Sequence, residues 1–144
     1  MGPLMKAFAV KTSIQATPER IWELLTDAAG YTRWNSTVEK IEGNITRNAR
    51  IKVHAKISPG RTFPVMVTEF EPGKRMVWTG GMPFGLFKGE RVFTLTKGSG
   101  EGVEFSMREE YSGLMAGLIG RSIPDLQPAF DEFAADLKKA AEER

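Results

Sequence analysis

The sequence has no cysteine and only one histidine among its 144 residues. The missing cysteines exclude a disulfide framework and a thiolate metal site, and they agree with a reducing compartment. With His54 as the one histidine and no cysteine, the sequence excludes a zinc site and a catalytic nucleophile–histidine arrangement. We therefore expect no metal and no cofactor.

The chain also lacks long apolar runs and blocks of like charge. No segment approaches the length that crosses a bilayer, and residues 1–5 have no apolar core of a signal peptide. Lysine and arginine number 20 against 18 acidic residues, a net charge of +2, and they are spread along the chain. We expect a cytoplasmic protein of one domain (1–144), without membrane insertion and without a nucleic-acid partner.

Alternating apolar and polar residues predict a sheet of several strands. The predicted strands are 6–15, 38–45, 49–57, 61–70, 75–80, 86–96 and 103–111. In the third, Ile51, Val53, Ala55 and Ile57 are predicted to face inward. His54 falls on the opposite face among arginine and lysine, which favours a solvated basic surface over a general base.

Helical signals flank this run of strands. Thr17 is placed to cap a first helix, with Pro18 at its first position and Glu19 in its first turn. Residues 120–144 carry one apolar stripe at three- and four-residue steps, formed by Ile123, Leu126, Phe130, Phe133, Leu137 and Ala140 or Ala141. Ser122 and Asp125 resemble a capping pair, whereas Pro128 favours a kink or a later start.

Strand parity identifies the side chains that should face the C-terminal helix. They are Met76, Trp78, Phe87, Gly89, Arg91, Phe93, Leu95, Phe105, Met107, Glu109 and Tyr111. Two of them, Arg91 and Glu109, are charged among apolar neighbours. Because an isolated buried charge is costly, we expect these two to lie close enough to pair.

Two loops are rich in glycine and apolar residues. Residues 80–85 carry Met82 and Phe84, and residues 113–120 carry Leu114 and Met115. Apolar loops are uncommon on a plain surface. They are interpreted as a portal to a cavity, a homodimer contact or the lid of the core.

Several segments together resemble a known family. They are 16–22, Tyr31 with Trp34 and Asn35, 73–78, 86–90 and 108–113. The combination is similar to the polyketide cyclase/dehydrase-type branch of the START-like helix-grip superfamily (SRPBCC). The resemblance implies an α+β fold, in which a seven-stranded antiparallel sheet curves around a long C-terminal helix, with two short helices after the first strand and an apolar cavity.

Three functions stay open at this point. The leading interpretation is a carrier or binding protein that holds a small, largely apolar molecule in a cavity between the sheet and the C-terminal helix. The second is a cyclase or dehydratase, for which Arg91, Glu109 and Tyr111 are the catalytic candidates. The third is a non-catalytic protein-interaction module. The predicted ligand-binding residues are Met76, Trp78, Met82, Phe84, Phe87, Arg91, Phe105, Met107, Glu109, Tyr111 and Met115.

Overall fold

Seven strands form one antiparallel sheet in the computed structural model, which describes residues 6–98, 100 and 102–143. They are β1 (Lys6–Ile14), β2 (Val38–Glu42), β3 (Arg50–Ala55), β4 (Phe63–Glu71), β5 (Arg75–Met82), β6 (Phe87–Lys97) and β7 (Val103–Ser112). Their order in the sheet is β1-β7-β6-β5-β4-β3-β2. Every strand from β2 to β7 thus pairs with its neighbour in sequence, and β1 closes the order beside β7.

Two short helices follow β1, as the resemblance implied. They are α1 (Pro18–Thr26) and α2 (Tyr31–Trp34), and α3 (Ala116–Gly120) and α4 (Gln127–Glu142) come after β7. Thr17 caps α1 as predicted, because its hydroxyl oxygen accepts the backbone N–H of Arg20 at 3.1 Å. None of the helices in the described part of the chain is long and apolar enough to cross a membrane.

The C-terminal helix begins late, at Gln127, with Pro128 in its first turn. Of the predicted capping pair, Ser122 is wrong, whereas the Asp125 carboxylate accepts the backbone N–H of Gln127 at 3.0 Å. Ser122 instead donates its hydroxyl to the carbonyl of Ile119 and so closes the preceding helix α3. The residue before Gln127 is Leu126, which offers no side-chain cap. The proline therefore fixes the start of α4, since it needs no N–H partner there.

Helix α4 lies along β1 in the same direction. Near its start, Gln127 donates its side-chain amide to the carbonyl of Ala9. Near its end, Lys138 donates to the carbonyl of Ser13, and Glu142 accepts the backbone N–H of Gln15 at 2.8 Å. These bonds hold the helix against the edge of the sheet and turn its apolar stripe toward the inner face.

The predicted apolar stripe is confirmed from Phe130 onward, whereas Ile123 and Leu126 come before α4 begins. Phe130, Phe133 and Leu137 are all buried. The Phe133 ring lies 6.2 Å from Phe105 and 6.1 Å from Phe93, centroid to centroid, so it joins the helix to the middle of the sheet. Burying aromatic rings of this size contributes a large share of the apolar stabilisation.

Three local predictions are wrong. Ile57 is 42% exposed, because β3 ends at Ala55 and the chain turns before it. Strand β2 ends at Glu42 rather than at residue 45, since Gly43 adopts a φ of 101° that breaks the strand. Residues 116–120, predicted as loop, form α3.

Other parts of the sequence-based description fall on residues that the structure does not describe. These are residues 1–5, examined for a signal peptide, Ser99 and Glu101 in the predicted turn 97–102, and Arg144 at the end of the predicted helix.

Candidate functional site

An ion pair forms on the inner face of the sheet where parity predicted it. Arg91 on β6 stands directly opposite Glu109 on β7. Arg91 Nε and Nη2 donate to the two carboxylate oxygens at 3.0 and 3.3 Å. The Tyr111 hydroxyl donates to Glu109 Oε2 at 2.5 Å. The three side chains therefore form one polar cluster in which the carboxylate is held by three donors.

This cluster lies between solvent and the core. The Arg91 side chain is 21% exposed and that of Glu109 is 14% exposed. The Arg91 guanidinium carbon lies 4.8 Å from the centre of the Phe130 ring, which places the cation on the face of α4 that meets the sheet. The predicted pairing of Arg91 with Glu109, inward and among apolar residues, is confirmed.

The surroundings fix the charge states of the cluster. Burial acts to lower the pKa of Arg91, but the charge and hydrogen bonds of Glu109 outweigh it, so the net direction is upward. Burial, followed by the nearby Glu109 carboxylate, raises the pKa of the Tyr111 phenol. At neutral pH the guanidinium is therefore charged and the phenol keeps its proton.

Glycine at position 89 makes room for Tyr111. The two residues are cross-strand partners, and a Cβ built on Gly89 would lie 3.1 Å from the Tyr111 ring. The ring also stacks on Phe87, with centroids 5.7 Å apart and planes 15° apart. We call this half-buried region, formed by Phe87, Gly89, Arg91, Glu109 and Tyr111, the open end of the interior.

The other end of the interior is filled with aromatic rings. Tyr31, Phe93 and Phe105 are fully buried and each packs on the Phe133 ring, and we call these four residues the closed end. Three predicted ligand-binding residues, Met76, Phe105 and Met107, belong to this packed region and are no more than 1% exposed.

Trp78 lies between the two ends. It stands opposite Arg91 in the register of β5 and β6, and its ring packs 4.7 Å from Phe93. Its indole Nε1–H is buried and has no hydrogen-bond partner among the described residues. Likewise, no described residue accepts a hydrogen bond from Arg91 Nη1. Trp78 Nε1 is thus a buried donor without an acceptor, whereas Arg91 Nη1 is not among the buried unpaired atoms and meets solvent.

The apolar loops meet at the open end, with their side chains turned outward. The N–H groups of Leu114 and Met115 donate to the carbonyls of Gly85 and Leu86, which joins the β5–β6 hairpin to the segment before α3. Phe84 is 93% exposed and has a φ of 61°, which is unusual for a bulky residue. Met82 is also exposed, so these two predicted ligand-binding residues border the open end on its outside, whereas Met115 is half-buried.

Two surface depressions lie elsewhere. One, of about 610 Å³, is lined by the end of α1 and the segment after β2, including Asp27, Ile41 and Thr46. The other, of about 340 Å³, lies between α1, α2 and the end of α4. None of the predicted ligand-binding residues lines either one. Both are open, and the charged groups of the second, Arg20 with Glu23 and Arg33 with Asp27, are exposed ion pairs. The Arg91–Glu109 pair is instead half-buried among apolar rings, so we place the candidate site at the open end on chemical grounds.

A comparison with models of protein families identifies the family over almost the whole chain. Residues 5–142 match the model of the family described as polyketide cyclase/dehydrase and lipid transport. The chain belongs to this family. The family resemblance noted from the sequence is thereby confirmed, and it suggests a ligand-binding fold. Among curated proteins, no sequence matches the chain.

Solved structures of other proteins share the fold of this polyketide cyclase/dehydrase and lipid transport family member. A hypothetical protein from Helicobacter pylori has a TM-score of 0.76 and 15% identity, covering 95% of this chain and 88% of its own. A START superfamily protein from Mycobacterium smegmatis has a TM-score of 0.67 and 13% identity, covering 94% and 97%. DynU16, from the dynemicin biosynthetic locus, has a TM-score of 0.69 and 22% identity, covering 94% of this chain and 46% of its own.

Some features of the site in this family member were not anticipated from the sequence. Phe130 was expected only to pack on the sheet, yet its ring faces the Arg91 guanidinium. Tyr31 was quoted only for the family resemblance, yet it is buried and donates its hydroxyl to the carbonyl of Leu25 at 2.6 Å. The helical stripe located Phe130, but only the register of α4 on the sheet brings it to Arg91.

Other side chains take simpler roles. His54 is hydrogen bonded to Glu42 on the neighbouring strand at 2.7 Å, away from the cluster. Trp34 packs edge-on against Phe133 of α4, at 5.7 Å, and so joins α2 to that helix. Within the described residues, no three histidine or carboxylate side chains converge as a metal site would require.

Proposed function

We propose that the protein is a carrier or binding protein for a small, largely apolar molecule, held at the open end of the interior. The observation that carries this proposal is the half-buried cluster of Arg91, Glu109 and Tyr111, bordered by apolar rings. A small number of fixed polar groups in an apolar setting is typical of ligand sites. The family description, which includes lipid transport, supports the same class of ligand.

The charge states of the cluster favour binding over catalysis. A general acid or base works best when its pKa lies near the working pH. The pKa of Tyr111 is raised away from neutral pH, and the Arg91 guanidinium stays charged. Glu109 is already engaged by both of these groups. The cluster is therefore suited to orienting a ligand and poorly suited to moving a proton for a cyclase or dehydratase.

The exposed loops support an entrance on the same side. Phe84, Leu114 and Leu118 are all strongly exposed, although exposed apolar side chains are costly when they cluster. Backbone hydrogen bonds join the two loops that carry Phe84 and Leu114. In this proposal an apolar ligand enters past these side chains and reaches Arg91 with its polar group.

The test is a binding titration with a solvatochromic apolar dye, followed by displacement of the dye with a medium-chain methyl ketone. The site variant is Arg91→Met with Glu109→Gln, which removes both charges together and so strands neither. We expect it to fold and to lose about 1–3 kcal/mol of ketone affinity, roughly 5- to 150-fold.

The chain offers a control ion pair on β7, the strand that carries Glu109. Arg108 and Glu110 form a second ion pair at 3.1 Å, with both side chains more exposed than those of the site pair. Replacing them by Met and Gln should leave dye and ketone affinity unchanged. The proposal fails if neither dye nor ketone binds the wild-type protein. It fails equally if both double variants bind the ketone as the wild type does. The titration is repeated over a range of protein concentrations. An affinity that changes with protein concentration would indicate that the apolar loops form a homodimer contact rather than an entrance for the ligand.

A further inference from the structure

The polar cluster carries no net charge. Arg91 contributes one positive charge and Glu109 one negative charge, and the two groups bond through both carboxylate oxygens. Tyr111 adds a neutral phenol. A ligand that brought a carboxylate here would add an unbalanced negative charge close to Glu109, in a region where little water reaches it. That charge would be repelled and poorly solvated.

Two N–H donors at this cluster nevertheless have no acceptor among the described residues. Arg91 Nη1 and Trp78 Nε1 belong to residues directly opposite each other on β6 and β5, and neither has an acceptor among the described residues. The carboxylate of Glu109, by contrast, already accepts three hydrogen bonds. What the site lacks is an acceptor, and a carbonyl oxygen, with two lone pairs, can accept from two donors.

From this balance we infer that the polar group of the ligand is a neutral hydrogen-bond acceptor, such as the carbonyl of a ketone, aldehyde or ester, and that Glu109 excludes carboxylates. This inference rests on the proposed function, because it concerns the same site. Glu109 is a specificity residue here. It holds Arg91 in place and cancels the charge that would otherwise attract a fatty-acid carboxylate.

The test compares two probes of nearly equal shape, decanoate and the methyl ketone of the same chain length, by calorimetry at mildly alkaline pH. We expect the wild-type protein to bind the ketone at least about tenfold more tightly, because the carboxylate meets an already neutralised guanidinium. In the Glu109→Gln variant, the Arg91 guanidinium no longer has a negatively charged partner. Decanoate affinity should then rise above ketone affinity, since a free guanidinium binds carboxylates through paired hydrogen bonds.

Glu110→Gln is the control, because it removes the same charge from the next residue, which pairs with Arg108. It should keep the wild-type preference for the ketone. A change of preference in Glu110→Gln equal to that in Glu109→Gln would reduce the effect to net charge and overturn the inference.

The remaining outcomes separate this inference from the proposed function. Wild-type protein that binds decanoate as tightly as the ketone overturns the inference and leaves the proposed function standing. A Glu109→Gln variant that still prefers the ketone overturns the role of Glu109. If neither probe binds the wild-type protein, the proposed function and the inference fail together. Thermal unfolding of each variant, measured first, establishes that it is folded.

Discussion

The two ends of the interior are built on the same strands, yet they differ in what fills them. At the closed end, Phe133 of α4 meets Phe93 and Phe105 with no side-chain charge between them. At the open end, further along the same strands, Arg91 and Glu109 take inward positions, and Phe130 meets a guanidinium as well as the Phe8 ring. The sheet therefore offers one continuous inner face with two chemistries.

Under the proposed function, the two ends divide stability and binding between them. Rings packed at interior density stabilise the fold but leave nothing for a ligand to contact. A half-buried ion pair contributes little to stability, because desolvation offsets most of the attraction between its charges. Its place on the inner face fits the proposed role in recognition. Changes at the closed end should therefore affect folding, and changes at the open end should mainly affect ligand binding.

The largest expected effect is at the closed end. Phe133→Ala removes the ring that joins α4 to the sheet and should lower the free energy of unfolding by about 3–5 kcal/mol. Urea unfolding followed by circular dichroism measures it. Phe84→Ala, an exposed residue near the open end, is the control and should stay within about 0.5 kcal/mol of wild type. Equal losses in the two variants would remove the distinction between the ends.

A smaller effect is expected when the ion pair is broken on one side only. Arg91→Met strands the Glu109 carboxylate among apolar groups and should cost about 2–3 kcal/mol, whereas adding Glu109→Gln should recover most of that loss. The same urea experiment applies to both variants. Arg108→Met, from the exposed pair, should cost less than about 1 kcal/mol. A double variant as unstable as Arg91→Met would mean that the pair itself stabilises the fold.

The contact between Gly89 and Tyr111 gives a third, weaker test. Gly89→Ala puts a methyl group 3.1 Å from the ring and should cost about 1 kcal/mol, at the low end for overpacking, because the ring is able to tilt. In a Tyr111→Ala background the methyl group has room, so the same change should be nearly neutral. A double-mutant cycle measures the coupling. The same cost in both backgrounds would show that the glycine is needed by the strand and not by the ring.

The smallest effect concerns the hydrogen bonds of Glu142, which attach the end of α4 to the segment after β1. The N–H of Gln15, followed by the Lys138 ammonium, holds the pKa of Glu142 below its ordinary value. A carboxyl group whose pKa is lowered by folding stabilises the folded state when the pH is above the ordinary pKa of that group. This contribution is lost as the pH falls through the folded-state pKa. Glu142→Gln should thus unfold at a lower temperature than wild type near neutral pH, and the difference should vanish in acid. Equal unfolding temperatures of Glu142→Gln and wild type near neutral pH would contradict this contribution.

The sequence was sufficient to predict most of the fold, because local signals dominate it. Alternation located the seven strands, and Pro128 marked the start of α4. Parity also brought Arg91 and Glu109 together correctly, since antiparallel neighbours share a face. The errors lie where local rules compete. Ile57 follows a good strand pattern, but the strand ends before it. Ser122 bonds to the end of the preceding helix α3 and so does not cap α4.

The site was harder to predict, because it depends on how far each side chain is from the ends of the sheet. Parity gave the inward face but could not distinguish Met107, which is buried in the core, from Glu109, which reaches the open end. Nor could it show that Phe84 points away from the interior. Depth along a strand depends on the placement of α3 and α4 over the sheet, which is a long-range property. Ligand binding at these residues stays a prediction.

The most direct test follows the indole N–H signals of the three tryptophans by ¹H–¹⁵N NMR during a titration with the methyl ketone. Trp78 lies beside Arg91 with an unpaired N–H, whereas Trp22 packs on Phe70, away from the cluster. We predict that the Trp78 signal moves downfield as its N–H gains an acceptor, while the Trp22 signal stays in place. A titration that shifts Trp22 and leaves Trp78 unchanged, or that shifts none of the three, would contradict a ligand site at the open end.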